Sequence, residues 1–347
     1  MKKVRWGVIA AGGIADRRTI PGMMLANNAE LVAVMEVNME FAEKIRAKYN
    51  AKRAYDNVDA LLADPEIDAV YIASPVNYHK SQAIAAAKAK KHILIEKPIC
   101  MTVEDGEEVL RVCEQEGVKI ATGLMMRYHA YHQAMKKIVD EGKLGQLTSC
   151  RAQFTCWYPD IPGEWRQIKS ESGGGALVDL GVHAIDRLQY ISGSKAKTVA
   201  GMSGTKVFNY EVDDQSSTLM ELENGAYAYV DANFNIPDDA AFCRMEFYGT
   251  KGSMMAEGTL SQVEGGSLKV LVCEDKGYDA QQNRGAAEAV NVDVEFGNMY
   301  TKEIESFGRS ILDGQEIQVP ASDAIYVQKV MYAAYESAET RKFVDVK

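Results

Sequence analysis

The stretch VRWGVIAAGGIA, Val4 to Ala15, decides the fold. Val4 to Ala10 reads as a short strand, and the small residues Ala10-Ala11-Gly12-Gly13-Ile14-Ala15 follow it directly. A dinucleotide-binding turn has the form G-x-G-x-x-G/A, because small residues let backbone N–H groups approach a pyrophosphate at a helix N-terminus. Here Ala10 stands at the first glycine, Gly12 at the second and Ala15 at the third position. Taken alone, an imperfect glycine-rich turn fits any α/β protein equally well. Glu36 strengthens the dinucleotide reading: it ends the second strand, 24 residues after Gly12, near the spacing of the acid that accepts hydrogen bonds from ribose hydroxyls. Its carboxylate repels a 2'-phosphate, and Val37 and Asn38 bring no cation to neutralise one, so NAD is favoured over NADP.

From that turn outward, short β-branched runs alternate with helical stretches. Strands are expected at 31–37, 69–74, 92–97 and 119–124, and helices at 39–49, 81–91 and 102–116. This alternation implies βαβ crossovers, so residues 1–124 are expected to form a doubly wound α/β domain with a parallel sheet. Pro21 should interrupt the first helix, which is expected to stop near Thr19 and restart at Pro21. Thr102 with Asp105 three residues on resembles a capping box.

Past a helix at 131–141 the pattern changes. Strand-like runs at 147–157, 197–207, 216–223, 226–234, 242–249 and 267–274 follow each other, and Asn224-Gly225 marks a hairpin. Residues 125–347 are therefore read as an α+β domain with a large, mostly antiparallel open sheet and helices at 176–192, 300–313 and 323–341. In AYAYVDANF (226–234) Ala226, Ala228, Val230, Ala232 and Phe234 share one face, and Tyr227 and Tyr229 lie on the other. Two tyrosines there suit either a covered second face or ordinary exposed aromatics.

Composition narrows the function classes. The chain has 347 residues, 47% hydrophobic and 25% charged, with 28 Gly and 8 Pro and no biased tract, as two globular domains require. With 39 Lys plus Arg against 49 Asp plus Glu, the net charge is −10 and there is no basic run for nucleic acid. Six scattered cysteines without zinc spacing suit a reduced interior, and no stretch of apolar residues is long enough for a membrane span. A cytoplasmic chain without a structural metal is expected. His129 and His132 lie one turn apart but lack accompanying ligands, so solvated or packed histidines are the better reading; His92 opens a strand and is read as structural.

Two further constellations carry chemistry. Glu96-Lys97-Pro98 falls at the carboxyl end of a parallel strand, where ligands of open α/β sheets bind. The segment Gly173-Gly174-Gly175 to Asp186 opens a helix on which Asp179, His183, Asp186 and Tyr190 share a stripe at 100° per residue. A carboxylate and an imidazole at i, i+4 make a candidate acid/base pair, although an amphipathic helix with a wet face has the same pattern.

Taken together, the turn Gly12-Gly13-Ile14-Ala15, Ala73-Ser74-Pro75-x-Asn77-x-His79, Glu96-Lys97-Pro98, Gly123-x-x-x-Arg127-Tyr128, Trp165-Arg166 and Gly173 to Asp186 resemble the Gfo/Idh/MocA oxidoreductases. The motifs run in the family's order to about Ser192. The resemblance implies a Rossmann domain followed by an α+β domain with a large open sheet. It implies that Lys97 and His183 line the nicotinamide and substrate, and that Asp179 holds the substrate or tunes His183. Ser74, Asn77, His79, Glu96 and Arg127 would flank the cofactor, Trp165 and Arg166 would reach its nicotinamide end, and the Lys97-Pro98 peptide is expected to be cis. Ala10 departs from the family's glycine, and His129 follows Arg127-Tyr128 where an acid or small polar residue is common. The expected activity is NAD-dependent oxidation of a secondary hydroxyl of a sugar, cyclitol or glycoside by a homo-oligomer that pairs its sheets. His183 is expected as base and Lys97 as electrostatic clamp, with the reverse assignment as alternative. A glycosidase or lyase that oxidises its sugar transiently shares the same residues, and a non-catalytic NAD-binding sensor needs only the turn.

Overall fold

A computed structural model describes residues 2–273, 277–278, 280–281 and 288–347. The chain divides into two compact units. The first joins Met1–Tyr128 with Gly163–Gly173 and Gly297–Gln328; the second joins His129–Pro162, Gly174–Phe296 and Lys329–Lys347. Neither unit is continuous in sequence.

In the first unit, β1 (Val4–Ile9) is followed by a π-helical turn, Ala15–Thr19, and α1 (Ile20–Leu25). The interruption expected near Thr19 is thus a change from π to α winding, with Pro21 in the first turn of α1, where its missing N–H costs nothing. Then come β2 (Ala29–Met35), α2 (Met39–Tyr49), β3 (Arg53–Tyr55), α3 (Val58–Leu62), β4 (Ala69–Ile72), α4 (His79–Lys88), β5 (His92–Glu96), α5 (Val103–Glu116) and β6 (Ile120–Gly123). Asn38 and Thr102 cap α2 and α5 through Phe41 and Asp105 backbone N–H groups, as short polar side chains do at helix starts. The six strands are parallel in the order β3-β2-β1-β4-β5-β6. That order reverses between β1 and β4, which makes a ligand crevice at their carboxyl ends.

The second unit adds α6 (Ala130–Asp140), β7 (Leu147–Thr155) and, after the short α7 (Lys169–Ser172) of the first unit, a second π-helical turn, Leu177–Gly181, leading into α8 (Val182–Ser192). Strands β8 (Ala196–Gly204), β9 (Gln215–Leu222), β10 (Tyr227–Asn233), β11 (Met245–Gly249), β12 (Gly252–Glu257), β13 (Ser267–Val272) and β14 (Val290–Asn291) follow. The expected run 267–274 ends at Val272 as a strand, and Glu274 lies outside the described residues. Helix α9 (Met299–Asp313) belongs to the first unit, α10 (Ala321–Thr340) begins in the first and ends in the second, and β15 (Val344–Asp345) closes the chain.

The nine strands run β14-β13-β12-β11-β7-β10-β9-β8-β15. β7 and β10 are parallel, and every other neighbouring pair among the described residues is antiparallel. β9 and β10 form the hairpin marked by Asn224-Gly225, with Gly225 in the left-handed region at φ 85°. Ala226, Ala228, Val230, Ala232 and Phe234 are all buried. Tyr227 and Tyr229 are exposed on the opposite face of the sheet.

Helix α9 completes the Rossmann core. Phe307 packs its ring 6.1 Å from that of Trp6, and Thr301 Oγ1 donates to Gly22 O at 2.8 Å. A Cβ on Gly22 would lie 2.7 Å from Tyr300 Cβ, so the glycine is what lets α9 close on α1.

Candidate active site

The glycine-rich turn leaves β1 through Ala10, whose φ of 58° is left-handed, a conformation that glycine adopts at no steric cost and alanine does not. Ala11 N–H donates to Met35 O at 3.1 Å, and Gly12 N–H donates to Glu36 Oε1 at 2.6 Å. Glu36 therefore stands against the turn from the end of β2. Gly13 is also left-handed, at φ 53°, and a Cβ built on it meets nothing within 4 Å. Bare backbone facing open space, with a carboxylate alongside, fits a dinucleotide: the turn admits a pyrophosphate and the acid suits ribose hydroxyls.

Beyond β4, Ser74 is buried and donates from Oγ to Gln82 Oε1 at 2.6 Å, while Asn77 is exposed. His79 is buried, with Nε2 2.9 Å from Ser74 O and Nδ1 3.0 Å from Pro98 O. Burial pushes its pKa down, against the pull of these carbonyls. The imidazole ties the loop after β4 to the turn after β5, where the Lys97-Pro98 peptide is cis.

Glu96, at the end of β5, is half-buried and held from two sides. Tyr71 Oη donates to Glu96 Oε1 at 2.5 Å and itself accepts from Thr19 Oγ1 at 2.9 Å; Lys97 N–H donates to Oε2 at 3.2 Å. Desolvation raises the Glu96 pKa, while Lys97, Tyr71 and Arg166 pull it back. Arg166 lies with its guanidinium 4.4 Å from the Trp165 ring centroid and pairs with Glu164 at 3.2 Å. Arg127 is buried and donates to Gln318 O at 2.9 Å and Asp323 Oδ2 at 2.8 Å, so it fastens the chain before α10 to the end of the parallel sheet.

The other candidates belong to the second unit. Gly175 N–H and Leu177 N–H donate to the two oxygens of Asp213 at 2.8 and 2.9 Å, and Tyr335 Oη donates to the same carboxyl at 2.6 Å. Burial pushes the Asp213 carboxyl up in pKa despite these donors. The clamp sets the π turn in which half-buried Asp179 sits. His183 follows in the first turn of α8, buried, with its ring 6.2 Å from Phe154 in an edge-on arrangement.

The wet stripe read at 100° per residue is not what forms here. A π turn takes i→i+5 hydrogen bonds and changes the angular step before His183. Asp186 and Arg187 are 1% and 0% exposed and pair with each other, and the Arg187 guanidinium lies 5.1 Å from the Tyr190 ring centroid. Past His183 the stripe therefore runs into a buried ion pair rather than a solvated face.

His129 and His132 are packed histidines: both are buried, their ring centroids 4.5 Å apart. His92 Nδ1 accepts from Lys119 N–H at 3.0 Å. Among the described residues no three His, Cys, Asp or Glu side chains cluster as metal ligands, and no helix is long and apolar enough to cross a membrane. Residue reading missed Thr19, Tyr71, Asp213 and Glu303. The only outward sign of Tyr71 was a hydroxyl on the otherwise apolar, buried strand β4, and Thr19 sits among the charged residues of the first π turn with no such sign.

A parallel sheet in 3-2-1-4-5-6 order, an open glycine turn and an acid at the end of the second strand define the dinucleotide-binding Rossmann class. Residues 4–124 match the model of the oxidoreductase family with an NAD-binding Rossmann fold, and residues 132–255 match the GFO/IDH/MocA C-terminal domain. The chain belongs to the Gfo/Idh/MocA family and is an oxidoreductase. It is 26% identical to 1,5-anhydro-D-fructose reductase of Ensifer adhaerens, over 99% of this chain and 98% of that one. It is 26% identical to D-glucoside 3-dehydrogenase of Escherichia coli, over 99% and 97% of the two chains. The structure of aldose-aldose oxidoreductase from Caulobacter crescentus superposes with a TM-score of 0.89 at 22% identity, covering 99% of this chain and all of the other.

Proposed function

We propose that the protein is an NAD-dependent dehydrogenase acting on a secondary hydroxyl of a sugar, cyclitol or glycoside. The observation that carries this reading is Lys97 at the carboxyl end of β5, backed by the Glu96 carboxyl, in a chain whose relatives include named sugar reductases and dehydrogenases. Ala10, Gly12, Gly13 and Ile14 border the cofactor's pyrophosphate in this reading, and Glu36 takes the ribose hydroxyls. Ser74, Asn77, His79, Glu96, Arg127, Trp165 and Arg166 serve the cofactor by contact or by holding the loops that do. The bound cofactor supplies the hydride acceptor for the carbinol hydrogen. His183 takes the hydroxyl proton, with Asp179 orienting the imidazole and favouring its charged form. Lys97 donates a hydrogen bond to the same oxygen as negative charge develops on it.

The test is to denature purified protein, identify the nucleotide released or bound, and screen glycosides and cyclitols for reduction of NAD. NAD binding with turnover on one class supports the reading. NAD binding with no turnover on any sugar, cyclitol or glycoside points to a sensor.

Association is part of the proposal. On the outer face of the large sheet, Leu219, Tyr229 and Arg151 sit in register across three strands, flanked by Tyr227, Ser149 and Tyr248. Tyr227 is 61% exposed and Leu219 44%, aromatic and apolar groups set among polar ones such as Arg151 and Glu221, a mixed surface suited to a second copy of the chain. A dimer or larger even oligomer is expected in light scattering, and a monomeric mass at micromolar concentration overturns it. We place the protein in the cytoplasm, where its free cysteines persist as thiols.

A further inference from the structure

Four elements of the first unit bring polar side chains together around Glu96. Thr19 comes from the π turn, Tyr71 from β4, Glu96 from β5, and Tyr300 and Glu303 from the first turns of α9. Helix α9 approaches α1 closely where Tyr300 meets Gly22, and in its first turns Glu303 is 2% exposed and Tyr300 3%. Among the described residues, Glu303 Oε1 and Tyr300 Oη have no hydrogen-bond partner.

The two carboxyl groups are unequally provided for. Glu96 is half-buried, accepts from Tyr71 and from the Lys97 N–H, and faces the cations of Lys97 and Arg166. Glu303 has burial and the charge of Glu96 against it, and both push its pKa well above the ordinary value. The other titratable groups around the pair are Tyr71, Tyr300, Arg17 and Arg18. Two carboxyl groups sharing one low-dielectric site do not both ionise, and the negative charge settles where donors and cations already are.

We propose that Glu303 is a positioning residue for Lys97: it keeps the one proton of a Glu96/Glu303 carboxyl pair, so that a single negative charge, on Glu96, stands behind the lysine. This rests on the reading of Lys97 as the group that meets the substrate oxygen, but the proton can be observed without any substrate.

Infrared spectroscopy of the full-length protein is the test. The carbonyl stretch of a protonated carboxylic acid is expected in the wild type at neutral pH, where an ordinary glutamate is ionised. Glu303→Gln is expected to abolish it, and Glu96→Gln to keep it but lower its titration midpoint, because the neighbouring negative charge is gone. In turnover, the wild type should show an alkaline transition that Glu303→Gln lacks, whereas a merely structural loss lowers the rate by the same factor at every pH. No band in the wild type at neutral pH, a band that survives Glu303→Gln, or parallel pH-rate profiles overturns the proposal. If Glu303→Gln does not fold, the wild-type band and its midpoint shift in Glu96→Gln decide alone. Absence of turnover on any substrate sinks the dehydrogenase reading and leaves the infrared result standing.

Discussion

Two glycine-rich turns, each leading into a π-helical turn, stand one in each unit, and they do opposite things with the same residue. Around Gly12 and Gly13 no backbone crowds the turn closely: Gly13 has nothing within 4 Å of a built Cβ, and the nearest atoms to one on Gly12 are side-chain ends of Phe41 and Glu36, at 2.9 and 3.0 Å. Around Gly174 and Gly175 it is packed against its own chain: a Cβ on Gly175 would overlap the Asp213 carbonyl, and one on Gly174 the Tyr335 hydroxyl. The acids differ in the same sense. Glu36 takes one N–H of the first turn from a partly open position, while Asp213 takes two from the second turn and a tyrosine hydroxyl besides, wholly within the core. A glycine announces close approach to backbone; at the second turn the protein itself approaches, and at the first the space is left for the cofactor proposed above.

The comparison breaks most visibly at Gly175. An added methyl there has only backbone to displace, so Gly175→Ala is expected to cost about 3 kcal/mol or more, or to prevent folding. Denaturant unfolding measures this, and a loss under about 1 kcal/mol would show that the second turn is as open as the first.

Next in size is the chemistry proposed for the residues that follow the second turn. His183→Ala is expected to lower turnover by about 100- to 10,000-fold, the contribution of a placed acid or base, with NAD affinity unmoved. Lys97→Ala should also cripple turnover yet keep the acidic limb of the pH-rate profile. If that limb vanishes with Lys97 and survives His183→Ala, the two roles are exchanged.

Much of this was legible in the residues. The alternation up to Leu124 announced the parallel sheet, and the runs from 147 to 272 announced the antiparallel one, because period-2 apolar patterns show directly which face a strand buries. Short or unpatterned strands did not show. Arg53–Tyr55 has three half-buried residues and no apolar face, and Gly252–Glu257 (GSMMAE) has no β-branched residue. Of the candidate residues, Gly12, Glu36, Lys97, Asp179 and His183 lie in local motifs. Glu303 lies in a helix where a glutamate looks solvated, and its burial comes from packing of α9 against segments far away in sequence, α1 at Gly22 among them. The second π turn was hidden for a related reason: the carboxyl that clamps its start, Asp213, comes from another segment.

A smaller effect separates the two acids. Glu36→Ala removes the group that repels a 2'-phosphate without opening the core, so the preference for NAD over NADP should narrow by about tenfold, or roughly 1.4 kcal/mol, while folding stability changes by less than about 0.5 kcal/mol. Calorimetric titration of both nucleotides checks it. Tighter binding of NADP than NAD by the unmutated protein would contradict the reading of Glu36.

The smallest expected effect reverses the sign of the Gly175 experiment. Ala10 is the one residue of the first turn that carries a side chain in the left-handed region, at φ 58°. The clash of an alanine Cβ with the following carbonyl costs about 1–2 kcal/mol there. Replacing it by glycine removes that cost but frees the unfolded chain, which offsets about 0.4–1 kcal/mol. Ala10→Gly should therefore stabilise the protein by about 0.5 kcal/mol, where glycine-to-alanine at the second turn destabilises it. Because the lost methyl borders the proposed pyrophosphate position, NAD should bind somewhat more tightly as well. Paired denaturant and calorimetric measurements separate the two gains. A destabilised variant would mean that the Ala10 methyl is held by packing worth more than its strain, and the first turn would then share the second turn's character.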